Sequence, residues 1–336
     1  MKRNFILTSL FFLLCSCAHH PRNLYQGHYH TQIHQFLQNE NYLEVEPNYA
    51  ILDSIIDEAK AKITLKKQYL RQDITKIFNT IDEILLGRKY LYDRNLPFMY
   101  LALNPIKMSP QILKEQIRRP TEHIAKEAMA KGEMVYTANC KSYSYFYLAI
   151  AEALDLPIVP VITPPLKTEN QDAHMFVRWL YSDKDYFNWE TTAAAFISDQ
   201  QLLSKIRPGY YNQLTELTKE DWMVLELENI SINLLSKQEF YTLDSFFDEQ
   251  DKKILEKSPF LLLMKELASV EGDLRWATEM VETYVKENPP KTLKDYKMQI
   301  VLLIAVRRNE NAAELLNTAL GLDPEDIQLL DIKQKI

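Results

Sequence analysis

Glycine is scarce, with 6 residues in a chain of 336. All-β folds dense in tight turns use glycine wherever a positive φ is needed, so that class is disfavoured. A cationic excess is also missing: the net charge is −7, which argues against nucleic acid as the main partner. Beyond the N-terminal segment no long apolar run occurs, and a membrane-spanning helix needs roughly 20 such residues. Cysteine is nearly absent, with 3 residues. What remains is an ordinary composition, 46% hydrophobic and 25% charged, enough for about two domains.

The chain opens "MKRNFILTSLFFLLCSCAHH". Lys2 and Arg3 precede a short apolar stretch, Phe5 to Cys15, which reads as a secretory signal. Leu14-Cys15-Ser16-Cys17 resembles the lipobox of bacterial lipoproteins, which implies lipidation of Cys17 and removal of residues 1–17. The expected location is the bacterial cell envelope, with the protein held by lipid, on the outer membrane and facing the periplasm. The membrane is then a partner through the N-terminal lipid. Residues 18–45 carry five of the 7 histidines and read as a polar tether rather than a metal-binding tract.

Losing Cys15 with the signal and Cys17 to lipid leaves Cys140 without an intrachain partner. Such a cysteine is a reactive thiol, an intermolecular disulfide former, or a small buried hydrophobe. It sits in "NCKSYSYFYLAIAEALDLP", residues 139–157. Asn139 is a good N-cap. Tyr143, Phe146, Tyr147, Ile150, Ala151 and Leu154 supply a buried helical face, and Pro157 ends the helix. A thiol in a helix's first turn faces unpaired N–H groups and the positive dipole end, which favour the thiolate. Asn139 and the helix-start N–H groups are the candidate oxyanion donors.

The candidate base is His174 in "DAHMFVRWLY", and the candidate orienter is Glu190 in "YFNWETT", with Asn188 as the alternative. Both stretches, and "PIVPVI" before them, are rich in branched and aromatic residues and read as strands. Helical spacing dominates upstream of them, giving an α+β order. If the two later stretches form a hairpin across "SDKD", strand parity matters. A regular four-residue loop opposes Tyr181 to Tyr186 and turns His174 and Glu190 to opposite faces. A three- or five-residue loop, or a β-bulge, sets them on one face, and that is the expectation.

Cysteine at a helix start, the helix exit "ALDLP", a strand histidine and an acidic residue before threonine occur in the order of the transglutaminase-like superfamily, which this chain resembles. The resemblance spans about residues 70–215 and implies a papain-like core of helices plus a small antiparallel sheet, placed over residues 46–215. It implies Cys140 as nucleophile, His174 as base and Glu190 at the family's aspartate position. Residues 220–336 resemble tetratricopeptide repeats: Ala277 and Pro289 recur at the same interval as Ala312 and Pro324, near the 34-residue period. The fold expectation is thus α+β with an all-α helical repeat domain after it.

The functional expectation is a lipid-anchored cysteine enzyme performing acyl transfer or amide hydrolysis on a protein or peptide substrate. It needs no metal or organic cofactor, and a protein partner would sit on the repeats. Two rivals stand beside it: a non-catalytic protein-binding lipoprotein using both parts as a scaffold, and a redox sensor using Cys140 alone.

Overall fold

Helices at 3.6-residue apolar spacing supply most of the architecture. A computed structural model describes residues 32–335, apart from 44–45, 97, 165, 167–172, 183–184, 207–213, 238, 270–273 and 325. Residues 1–31, with the signal, the lipobox and Cys17, therefore lie outside the described residues. Among the described residues no helix is long and apolar enough to cross a membrane.

The first helix corrects the expected tether. Residues Gln32–Glu40 form α1, with Ile33, Phe36 and Leu37 fully buried. Their i, i+3, i+4 spacing gives one apolar stripe. Phe36 packs on Tyr145 and Trp222, at ring-centroid distances of 5.3 and 5.1 Å. Helices α2 (Tyr49–Lys62) and α3 (Arg71–Gly87) follow, each presenting a stripe of isoleucines to the same core.

A small sheet comes next, earlier in the chain than the strand signals suggested. Strand β1 (Tyr90–Tyr92) pairs in parallel with β3 (Met134–Ala138), and β2 (Ile106–Lys107) joins β3 antiparallel. Short helices α4 (Met99–Ala102), α5 (Pro110–Glu115) and α6 (Glu122–Lys131) fill the connections. These strands have two to five residues, too few for a period-2 pattern to stand out.

Helix α7 (Cys140–Leu154) is buried nearly all round, not on one face alone. Tyr145, Phe146, Tyr147, Ala149 and Ile150 are fully covered. A helix apolar on every side belongs in the middle of a core, and α7 packs between α2 and the second sheet. Asp155 ends it in the left-handed region, at φ 53°, which aspartate tolerates better than most residues.

The second sheet is antiparallel. It contains β4 (Ile158–Thr163), β5 (His174–Ser182), β6 (Asp185–Glu190), β7 (Ala195–Phe196) and β8 (Thr215–Glu216), in the order β7-β6-β5-β4-β8. Met175, Val177, Trp179, Phe187 and Trp189 join the main core, while Phe176 packs with Val161, Ile197 and Leu202 in a smaller cluster. Helix α8 (Asp199–Leu203) lies in the connection between β7 and β8.

The remainder is helical: α9 (Lys219–Ser236), α10 (Phe240–Asp248), α11 (Lys252–Leu255), α12 (Pro259–Ser269), α13 (Leu274–Glu287), α14 (Leu293–Ala305), α15 (Asn309–Leu322) and α16 (Ile327–Lys335). The packing does not break at the domain boundary expected near residue 215–220. One apolar cluster runs from Ile33 to Leu329, and Trp222 of α9 sits against Tyr145 of α7 at 4.9 Å. The cause is α1, which contacts α7 and α9 alike.

Candidate functional site

Asn139 starts α7 with an extended backbone, and its Oδ1 accepts the Ser142 N–H at 2.9 Å. Its Nδ2 donates to the Leu96 carbonyl at 2.5 Å. The side chain proposed as an oxyanion donor is therefore engaged as a cap and a tether. The Tyr143 N–H donates to the Asn139 carbonyl at 2.9 Å. With the Ser142 and Tyr143 N–H groups bonded to Asn139, those of Cys140 and Lys141 are the candidate first-turn donors. Cys140 is a free, half-buried cysteine.

His174 opens β5 and Glu190 closes β6, so both lie at the hairpin end away from the turn. Near the turn Ser182 pairs with Asp185. Beyond a register shift between Leu180 and Ser182, Leu180 pairs with Tyr186 and Val177 with Trp189. The expected parity is reached by the bulge. One step further, this register sets Glu190 across from Phe176, two residues from His174 and on its face. His174 Nε2 and Glu190 Oε2 are 2.5 Å apart, both groups buried. Nε2 is committed to the carboxylate, and the Cys140 sulfur lies near enough to act electrostatically on the same imidazole.

The electrostatics follow from this arrangement. Burial drives the His174 pKa down, but the Glu190 carboxylate and the Cys140 sulfur more than reverse it and hold it well above the ordinary 6.5. Burial drives Glu190 up, and His174 and Thr192 outweigh that to hold it below the ordinary 4.5. Each buried charge is thus kept by its partner.

Asn188, the alternative orienter, is committed elsewhere. Its Oδ1 accepts from Arg178 Nε at 2.8 Å, and its Nδ2 donates to Asp199 Oδ1 at 2.6 Å. Arg178 also pairs with Glu216 at 2.6 Å, so this network clips α8 and β8 to the hairpin. The structure brings together Cys140, His174 and Glu190, and leaves Asn188 out.

Several polar residues around the site carry no sequence signature. Trp189 Nε1 donates to Asp82 Oδ2 at 3.1 Å, and the Tyr147 hydroxyl donates to Asp82 Oδ1. Burial pushes the Asp82 carboxyl up to about 7, against the pull of those two donors. Thr192 donates to Glu190 Oε1 from its N–H at 3.1 Å and from its hydroxyl at 2.8 Å. Next to Cys140 in the chain, Lys141 donates to Glu226 of α9. Among the described residues no group of three His, Cys, Asp or Glu side chains is arranged to hold a metal ion.

No family model, curated protein or solved structure gives a significant match to this chain.

Proposed function

We propose that this protein is a transglutaminase-like thiol enzyme of the bacterial envelope, lipid-anchored through Cys17, that forms an acyl-enzyme at Cys140. One observation carries the reading: a cysteine at a buried helix's start acts electrostatically on an imidazole that is itself ion-paired to a buried carboxylate.

The Cys140 sulfur, its proton passed to His174, attacks an amide carbonyl carbon. The C=O π pair moves to oxygen, and the oxyanion is held by the N–H groups at the start of α7, aided by the helix dipole. Collapse breaks the C–N bond, and the amine leaves with the proton held on His174. A second nucleophile, amine or water, then gives a proton to His174, attacks the thioester and expels the sulfur. Glu190 orients the ring and stabilises its charged form throughout. Either hydrolysis or transfer follows from one chemistry, and the acceptor decides which.

A peptidyl acyloxymethyl ketone mimics the amide and tests this reading. Wild type should form a single adduct on Cys140, Cys140→Ala none, and His174→Ala one formed at least tenfold more slowly, within the range general base catalysis contributes, about 10²–10⁴. Labelling no faster than a free cysteine would remove the catalytic assignment.

A scaffold reading has its own observation. An open groove of about 670 Å³ lies between α13 and the connection from α14 to α15, lined by Arg275, Thr278, Glu279, Glu282, Val306, Arg307 and Arg308. It lies in the helical array, which we propose is tetratricopeptide-like, rather than at Cys140. If the array alone mattered, Cys140→Ala would leave function in the cell unchanged.

A further inference from the structure

The acid in this site is glutamate, one methylene longer than the aspartate of the family it resembles. A longer side chain has an extra torsion to fix before its carboxylate can orient an imidazole. Both Glu190 oxygens are nevertheless held. Oε2 meets His174 Nε2 at 2.5 Å, and Oε1 accepts from the Thr192 hydroxyl at 2.8 Å and the Thr192 N–H at 3.1 Å.

Thr192 is itself anchored on both flanks. Its carbonyl accepts from Arg119 Nη1 at 3.5 Å. Arg119 lies over the Tyr92 ring at 3.9 Å and donates from Nε to the Glu115 carbonyl at 3.1 Å. The preceding residue, Thr191, shares a hydrogen bond with Ser144 of α7 at 3.3 Å, both side chains being buried. Ser144 is one turn along from Cys140. The turn then doubles back, with the Ala193 N–H on the Glu190 carbonyl at 3.2 Å and Ala194 in the left-handed region at φ 51°. An alanine held there shows that the surroundings over-determine the turn.

We propose that Thr192 is a positioning residue: its hydroxyl fixes the Glu190 carboxylate so that Oε2 alone addresses His174, which is what lets a glutamate serve in this place. The inference rests on the thiol-enzyme reading above. It assigns the second threonine of "WETT" to the carboxylate and the first to the nucleophile's helix. The stretch thereby ties acid, base strand and thiol helix to one another.

The test uses the full chain with Thr192→Val, which keeps shape and backbone N–H but loses the hydroxyl, and Thr192→Ser, which restores it. The first readout is the Glu190 carboxyl titration, followed by NMR with glutamate labelled at the carboxyl carbon. Losing one hydrogen bond to a charged group should raise its midpoint by about one pH unit in Thr192→Val, and Thr192→Ser should titrate as wild type. The second readout is acylation of Cys140 by 4-nitrophenyl acetate. The maximal rate should fall about tenfold in Thr192→Val with half-saturation unchanged, and Thr192→Ser should recover it.

An unshifted Glu190 midpoint in a folded Thr192→Val would overturn the proposal, as would equal loss in both variants. If Thr192→Val does not fold, a wild-type titration in Thr192→Ser still supports the hydroxyl, and a raised one refutes it. Absence of acylation in wild type would count against the enzyme reading alone, because the Glu190 titration does not depend on chemistry at Cys140.

Discussion

Removing one cation beside the thiol should damage the whole fold. Lys141 follows Cys140 and donates to Glu226, whose side chain is completely buried. Glu40 of α1 is also fully buried and accepts the Met99 and Tyr100 N–H groups at 2.8 Å each. Burial first, and then the neighbouring Glu226, holds the Glu40 carboxyl well above the ordinary 4.5. Lys141→Met keeps the side chain's length and removes its charge, leaving two buried carboxyls facing each other. Breaking a buried pair from one side costs about 3–5 kcal/mol. Glu226→Gln should cost less, about 1–2 kcal/mol, because Lys141 still attracts Glu40. The assay is urea unfolding of the full chain at pH 5 and pH 8, with m-values compared to confirm a single transition. The Lys141→Met deficit should shrink at pH 5, where a proton taken up by Glu40 relieves the repulsion. A Lys141→Met protein within about 0.5 kcal/mol of wild type, or a deficit identical at the two pH values, would refute the reasoning.

Three further outcomes are expected. Asp82 is raised to about 7 from its ordinary 3.8, so the folded form binds the extra proton and stability should fall as pH rises from about 4 to 7; Asp82→Asn should flatten that slope in denaturant titrations. The His174–Glu190 pair should stabilise in full between pH 4.5 and 6.5, the ordinary values of the two groups. Its contribution is lost in acid as pH falls through the depressed Glu190 value and in base as pH rises through the elevated His174 value; His174→Gln should remove both limbs and cost about 3–5 kcal/mol at pH 6. Cys17→Ser should release the protein from the membrane fraction while Cys15→Ser should not, and identical fractionation of the two would contradict lipid anchoring.

Where local rules act alone, the chain was readable. Helix α7 announces itself through Asn139, the apolar spacing from Tyr143 to Leu154 and the exit at Pro157. Strands β5 and β6 show in their aromatic and branched residues. The placement of His174 beside Glu190 was reachable too, because strand parity leaves only two outcomes and the bulge before Ser182 selects one. Helix α1 was hidden by composition: the histidines around it read as a polar tract, although Ile33, Phe36 and Leu37 already stood at helical spacing. No periodicity marks the contact of Lys141 with Glu226, 85 residues apart. It exists because α1 draws α9 onto α7, a tertiary fact that also erased the expected domain boundary. Thr192 was equally silent, since its role depends on a turn doubling back on its own strand.

Acyl-enzyme formation tests the account at its centre. Full-length protein is incubated with 4-nitrophenyl acetate, and intact mass with peptide mapping reports the modified residue. Wild type should carry one acetyl group on Cys140, discharged faster when a simple primary amine is added. His174→Ala and Glu190→Gln should acylate more slowly, the histidine variant by at least tenfold, the low end of general base contributions of about 10²–10⁴. Acylation at the same rate in wild type and His174→Ala, or acetyl groups scattered over lysines with Cys140 untouched, would contradict the claim that this thiol, imidazole and carboxylate act as one nucleophilic unit.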